Sequence, residues 1–322
     1  MFLAPDGDEI EIANAAAEFL ADAMPIARLH MDDAADMNAP LRRSLAQMGW
    51  FGLALPEAAG GSGLSAVEHA LFFREVGRQC GPIDVLAQSL AVLAASADDD
   101  LRAALIAGEK GVALAVADHT ALRVFGAPQA DYALLVDRDG ASLLALSAGG
   151  SPRPALDPAN SMRLVSRGST IARRDGDLVW QMGELGAAAM LIGLAEAALD
   201  LIVDYAKVRE TFGRKIGTYQ AVRHPCAEMA LRAEAARSQL WFAAAAVKEG
   251  RGDADVHLDA AKHLANQAAL ANADNNIQLH GGIGVTEEHD AHLLLKHALL
   301  LGKLFGSKRP LLARLLTARA ED

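Results

Sequence analysis

The long helical stretch at the C-terminal end of the chain limits the possible folds more than any other feature. Alanine is dense there, at 243–246 and 268–273, and small side chains let neighbouring helices approach closely. Apolar residues at helical spacing predict helices at 185–211, 218–248, 253–279, 288–304 and 309–318. The pattern predicts a C-terminal four-helix bundle.

The rest of the chain divides where the hydrophobic period changes. Residues 8–107 predict shorter helices, at 9–29, 39–50, 65–79 and 82–97. Short apolar runs bounded by Gly, Asp and Pro then predict strands at 112–116, 132–136 and 142–146. These patterns predict a mainly α protein with a small β unit. Because 322 residues is about twice the usual single-domain length, we expect the chain to form two or three packed units. The predicted units are a helical N-terminal domain at 1–110, a reduced β middle domain at 111–182 and the C-terminal helical bundle at 183–322.

Charge and cysteine content argue against several functional classes. Forty-one acidic against 30 basic residues give a net charge of −11, which disfavours nucleic acid and anionic membranes as partners. Cys80 and Cys226 form no Cys-x-x-Cys pair, so neither a disulfide framework nor a metal site is predicted. The most apolar run, at 185–195, is too short to span a membrane, and the first residues lack the pattern of a signal peptide. We therefore expect a cytoplasmic protein that has no metal site and does not associate with a membrane.

The most specific segment is the turn that joins the first two long C-terminal helices. It reads Arg-Glu-Thr-Phe-Gly at 209–213, Ile-Gly at 216–217, then Tyr219 and Gln220. A glycine-containing turn of this kind is most often a helix connector with a solvated basic face. The order of residue types, however, resembles the signature turn of the acyl-CoA dehydrogenase family, flavoproteins that oxidise acyl-CoA thioesters. The Gln-x-x-Gly-Gly-x-Gly pattern at 278–284 and the Pro-Glu and Gly-Gly loop at 55–64 resemble two further elements of that family.

This resemblance implies a fold, a cofactor and a set of binding residues. In the family, a helical domain, a β-domain and a second helical domain enclose FAD, and tetramers form through the C-terminal domain. Arg209 matches the arginine that contacts the diphosphate of FAD bound mainly in a neighbouring subunit, as a charge-assisted donor. The other residues implied in contacts with the diphosphate and adenosine portions are Thr211, Phe212, Gln220, Gln278, Gly281 and Gly282.

The pattern departs from the family at the catalytic base. In the family, a carboxylate removes the α-proton of the acyl-CoA while the β-hydrogen passes to the flavin as hydride. Counting from Gly281 places Phe305 where most relatives carry the base, and a phenyl ring accepts no proton. A minority of the family carries the base at the start of the first C-terminal helix, where this chain has Gly183. Glu184 is the neighbouring candidate, although a glutamate in the first turn of a helix is also explained by the helix dipole.

The β unit departs as well, and three functions remain open. The family's flavin-contacting Thr-Glu-Pro pattern is absent from residues 113–120, no Trp-Ile-Thr segment occurs, and 111–180 is short for the family's barrel. The chain therefore resembles the base-lacking subunits of two-gene dehydrogenases for CoA-activated steroid side chains, which pair with a fuller chain in a heterotetramer. The alternatives are a self-sufficient homo-oligomeric dehydrogenase that uses Glu184, and a catalytically silent scaffold or CoA-thioester binding protein. For the enzymatic functions, the expected partners are acyl-CoA and an electron-transfer acceptor.

Overall fold

In the computed structural model, which describes residues 5–31, 37–146 and 150–318, the chain begins with five helices. Two of these helices begin with a capping box, in which two side chains bond each other's backbone N–H groups. Asp6 and Glu9 form one, and Ser65 and Glu68 form the other. The acidic cluster at 98–100, predicted to end a helix, instead begins one, because Asp98 accepts the backbone N–H of Leu101. The helices are α1 (Gly7–Ala23), α2 (Ala39–Gln47), α3 (Ala66–Arg78), α4 (Ile83–Ala94) and α5 (Asp99–Ile106).

A seven-stranded sheet follows. Its strands are β1 (Val112–Asp118), β2 (Ala121–Phe125), β3 (Tyr132–Asp137), β4 (Gly140–Ala145), β5 (Ser151–Arg153), β6 (Met162–Ser166) and β7 (Thr170–Asp175). They lie in the order β5-β6-β2-β1-β3-β4-β7. β1 and β3 pair in parallel, and the remaining neighbours are antiparallel. The three predicted strands are confirmed as β1, β3 and β4, and four more strands surround them.

Long helices form the C-terminal part, as predicted. The elements are α6 (Leu178–Val208), a hairpin of β8 (Glu210–Thr211) and β9 (Arg214–Lys215), α7 (Gln220–Lys248), α8 (Ala254–His280), α9 (Ala291–Leu301) and α10 (Lys308–Leu315). α6 packs against α3, α7 and α8 and lies at the centre of the molecule. Its length and composition would suit a membrane span, but 72% of its most apolar window is buried inside this chain, as in the core helix of a globular protein.

One hydrophobic core runs through the N-terminal helices, one face of the sheet and the C-terminal helices. Along β1, Val112 and Leu114 join this core, while Ala113 and Ala115 belong to a second cluster on the other face of the sheet. The alanines at 243–246 are buried within the chain, so they serve packing between its own helices. They therefore give no evidence for an oligomer, which stays a prediction.

Candidate functional site

The turn after α6 holds an aromatic side chain in solvent. β8 and β9 pair as a hairpin whose two apical residues, Phe212 and Gly213, have φ of +50° and +77°. A left-handed conformation costs a residue other than glycine about 1–2 kcal/mol. The Phe212 side chain is nevertheless 97% exposed and gains no burial within the chain. Backbone strain of this kind concentrates at binding sites, so the hairpin has the features of a contact with something outside this chain.

The Gly-Gly turn after α8 is open in the same way. Gln278 is exposed near the end of α8, and Gly281 follows with φ of +69°. A Cβ placed on Gly281 or Gly282 would meet no atom of this chain within 4 Å. Packing within the chain therefore does not require glycine at either position, although the φ of Gly281 itself favours glycine. Glycine here leaves the backbone accessible to an external group.

A stack of aromatic rings brings the two turns together. The rings of Tyr205 and His280 lie 4.5 Å apart, and His280 immediately precedes Gly281. The Arg209 N–H donates to the Tyr205 carbonyl at 2.8 Å, so the arginine leaves α6 one turn beyond the stack. Arg209 is exposed, as is Gln220 at the start of α7. Both are accessible to an anion at this surface.

Thr211 is the least accessible of the predicted binding residues. It is half-buried, and its carbonyl accepts a hydrogen bond from the Tyr219 hydroxyl at 2.9 Å. The guanidinium of Arg214 lies over the Tyr219 ring at 4.1 Å. Tyr219 thus braces both strands of the hairpin, and sequence reasoning assigned it no such role.

The two positions considered for a catalytic base pack against each other. Phe305 adopts φ of +52° and is 7% exposed. Its ring lies so close to α6 that a Cβ on Gly183 would be 2.3 Å from the Phe305 Cε1 atom. Trp180 closes the other side, with ring centroids 5.6 Å apart in an edge-to-face arrangement. The phenyl ring therefore fills the space above Gly183.

Glu184 is a core residue of α6. The expectation that it lies in the first turn of a helix is wrong, because α6 begins at Leu178 and Glu184 is fully buried in its second turn. Glu184 Oε2 accepts hydrogen bonds from Trp180 Nε1 at 2.8 Å and from Arg138 Nη2 at 3.2 Å. Burial, followed by the nearby Asp259 carboxylate, raises the pKa of Glu184 to about 8. The carboxyl is therefore mostly protonated at neutral pH.

Glu184 belongs to an ion network that joins four elements. Arg138, in the turn between β3 and β4, contacts Asp259 at 3.0 Å and Asp255 at 3.2 Å on α8. Arg314 of α10 donates from Nε to Asp259 at 2.8 Å. These contacts tie the sheet to the C-terminal helices. Sequence reasoning missed them because the partners come from distant parts of the chain.

A buried lysine holds the segment that carries Phe305. Lys262 of α8 is fully buried, and its Nζ donates to the carbonyls of Leu301 at 3.2 Å and Gly306 at 3.3 Å and to Asn266 Oδ1 at 2.9 Å. Burial lowers the pKa of Lys262 to about 7, and the Glu184 carboxyl opposes the shift when it is ionised. A lysine among the buried alanines of α8 was the signal in the sequence that could have revealed this contact.

A cleft of about 290 Å³ separates the sheet from α9. Val116, within the segment that departs from the family's flavin-contacting pattern, lines it together with Phe125, Leu300 and Leu304. These walls are apolar where the family pattern carries hydroxyl groups. Arg123, Asn160, Lys296 and Lys303 also line the cleft, so it combines an apolar wall with several hydrogen-bond donors.

Two family models match the chain. The C-terminal domain model of acyl-CoA dehydrogenases matches residues 181–316, and the N-terminal domain model matches residues 6–107. The chain belongs to the acyl-CoA dehydrogenase family. Members of this family are flavoprotein oxidoreductases that act on the CH–CH bond of acyl-CoA thioesters.

Among curated relatives, acyl-CoA dehydrogenase FadE34 of Mycobacterium tuberculosis is 37% identical over 292 residues, which are 84% of this chain and 41% of FadE34. The chain thus spans less than half the length of that relative. Acyl-CoA dehydrogenase IpdE2 of the same organism is 31% identical over 279 residues, which are 84% of this chain and 83% of IpdE2.

Solved structures agree with the fold. The Tcur3481–Tcur3483 steroid ACAD superposes with a TM-score of 0.80 at 26% identity, covering 96% of this chain and 97% of that one. The ChsE4–ChsE5 complex from Mycobacterium tuberculosis superposes with a TM-score of 0.81 at 21% identity, covering 98% of each chain. The mainly α fold with a small mixed sheet is therefore the acyl-CoA dehydrogenase fold.

Proposed function

We propose that this chain is a subunit of an FAD-dependent acyl-CoA dehydrogenase whose catalytic base lies on a partner chain. One observation carries the proposal: the Phe305 ring packs directly above Gly183. These are the two positions at which the family resemblance expects a carboxylate. Neither residue accepts a proton. The Phe305 ring occupies the space that a side chain at position 183 would need, and Gly183 leaves that space free for the ring. Dehydrogenation of a thioester then requires a base supplied from elsewhere.

The exposed residues of the two turns would hold the cofactor across a subunit interface. Arg209 would pair with a diphosphate oxygen, and the backbone of Gly281 and Gly282 would allow close approach of the nucleotide. Thr211, Phe212, Gln220 and Gln278 would complete the contacts. Bound FAD would supply the acceptor for the hydride that leaves the β-carbon of the acyl-CoA. This chain's own part is to bind and orient the cofactor and to exclude water with the Phe212 ring.

Two neighbours favour a heteromeric assembly and a bulky substrate. Both the ChsE4–ChsE5 complex and the Tcur3481–Tcur3483 protein combine two named chains, and the second is a steroid ACAD. By analogy, the partner would be a fuller dehydrogenase chain in a cytoplasmic heterotetramer, and the substrate a steroid-derived acyl-CoA. An electron-transfer acceptor would reoxidise the enzyme. The predicted domain division at 110 and 182 is part of this proposal.

A self-sufficient homo-oligomer that uses Glu184 as base is the second candidate. The observation in its favour is the raised pKa of Glu184, about 8, which lies near the working range of a general base. Against it, Trp180 and Arg138 already bind Oε2, and the side chain is fully buried. A catalytically silent scaffold or CoA-thioester binding protein is the third candidate, favoured only by the missing base.

Absorbance spectroscopy separates the three candidates. We expect the chain purified alone to be colourless and to gain a flavin spectrum when co-purified with the fuller dehydrogenase chain. A flavin spectrum of the chain alone, with acyl-CoA oxidation that Glu184→Gln abolishes, would establish the homo-oligomer instead. Absence of flavin and of turnover in both preparations would favour the silent protein.

Arg209→Ala tests the cofactor contact. Loss of a charge-assisted hydrogen bond of about 1.5–3 kcal/mol should weaken FAD binding by roughly ten- to a hundredfold in the assembled oligomer. The matched control is Arg173→Ala, which removes an exposed arginine of β7 that pairs with Asp175. Equal FAD affinity in the two variants would refute the assignment of Arg209.

A further inference from the structure

A basic cavity lies between α8 and the segment from α9 to α10. It encloses about 210 Å³. Its polar lining includes Lys303, Lys308, His263 and Gln267, and Leu299 contributes to its apolar wall. The lysines follow α9 and begin α10, whereas the histidine and glutamine lie on α8. Cationic and neutral donors thus converge from separate elements.

The charge of this cavity is unusual for an acidic chain. Acidic residues outnumber basic ones by 41 to 30, yet the cavity's lining in the described structure contains two lysines and no carboxylate. Within residues 5–31, 37–146 and 150–318, neither lysine forms an ion pair. His263 Nδ1 is buried there without a hydrogen-bond partner. An unpaired polar atom beside two uncompensated charges leaves the cavity suited to an anion.

We propose that this cavity binds the phosphate group of a phosphate ester. Two lysines supply point charges, and the His263 ring and the Gln267 amide supply neutral donors for the remaining oxygens. A phosphate has more oxygens than a carboxylate to accept donors arriving from several directions. Leu299 and the remaining apolar wall leave room for an attached organic group.

The same Leu299 and Lys303 also line the cleft between the sheet and α9, so the two cavities adjoin across α9. An organic group attached to the phosphate therefore has an apolar surface on which to lie. The proposal goes beyond the function proposed above, which places phosphate contacts at Arg209 in the hairpin after α6. Failure of either proposal leaves the other standing.

Calorimetric titration of the full chain tests the site with inorganic phosphate, ADP, coenzyme A and adenosine. We expect saturable binding of the phosphate-bearing probes, at least tenfold tighter for ADP than for adenosine. The probe that binds most tightly identifies the source of the phosphate. Lys303→Gln combined with Lys308→Gln should weaken ADP binding at least tenfold. Lys248→Gln, at the end of α7, is the matched control, and Arg209→Ala should retain the binding.

A spectroscopic signature distinguishes direct binding from a change in net charge. Burial and the charge of Lys308 lower the pKa of His263, so a bound phosphate should raise it in an NMR titration of the ring. Unchanged ADP binding in the double lysine variant would overturn the proposal. Loss of ADP binding in Arg209→Ala, or equal affinity for ADP and adenosine, would also overturn it.

Discussion

Glu184→Gln should make the protein more stable at neutral pH than it is with the native carboxyl. A glutamine has nearly the same shape, and its amide oxygen can accept the hydrogen bonds that Trp180 and Arg138 donate to Glu184. Its amide group can also donate to the neighbouring Asp259. The substitution therefore preserves the contacts of the buried side chain and removes only its titration.

The magnitude follows from the pKa of Glu184, which is about 8 in the folded chain against 4.5 for an ordinary glutamate. Between those values the unfolded carboxyl is ionised while the folded one keeps its proton. The free energy of unfolding therefore falls as pH rises, by roughly 1.4 kcal/mol per pH unit for one proton. Glutamine lacks this dependence. From about pH 5 to 7 the advantage of Glu184→Gln should thus grow by roughly 2–3 kcal/mol.

Urea denaturation at several pH values measures this difference. Lys262 changes the free energy of unfolding in the opposite direction and at higher pH. Its pKa is lowered from 10.5 to about 7, so its contribution to stability rises with pH between those values. Restricting the comparison to pH below 7 separates the two groups. Glu249→Gln, exposed just after α7, is the control. A difference between wild type and Glu184→Gln that stays constant from pH 5 to 7 would refute the reasoning.

Three further predictions concern packing, a buried carboxylate and the exposed hairpin. Gly183→Ala should cost about 1–3 kcal/mol in urea denaturation because its Cβ meets Phe305, and clearly less in a Phe305→Ala background. Burial alone would raise the pKa of Asp157, but the His297 ring at 2.7 Å and the hydrogen bonds from Ala159 and Asn160 together lower it. Asp157→Asn should therefore lose about 3 kcal/mol or more at pH 7, and less as pH falls below 3.8. Phe212→Ala should leave the unfolding free energy of the isolated chain within about 0.5 kcal/mol while flavin retention by the oligomer falls.

The sequence predicts those parts of the fold whose signal is local. β1, β3 and β4 are apolar runs, and they were found where predicted. β7 (Thr170–Asp175) carries two arginines and lies mostly exposed, so no hydrophobic alternation indicates it. The cluster at 98–100 suggested a helix end because acidic residues also occur in loops, whereas here they begin α5.

The candidate site divides in the same way. Arg209, Thr211 and Phe212 are contiguous and form a recognisable pattern, so the hairpin could be proposed before its structure was known. The burial of Glu184 depends on Arg138 and Asp259, which come from other elements, and no local pattern reveals such partners. Counting along the chain identified Phe305, but only the folded structure brings its ring to Gly183.

The empty surroundings of Gly281 and Gly282, together with the solvated ring of Phe212, have a consequence for mutational scanning. Because Gly282 and Phe212 contact little within their own chain, a screen that scores abundance or melting of the isolated chain will rank these two positions as tolerant. A screen that scores the assembled flavoprotein should rank the same positions as intolerant. Gly281 differs, because its φ of +69° makes any other residue costly in both kinds of screen. The difference between the two maps, position by position, would outline the surface that the proposed function assigns to a partner chain and a cofactor.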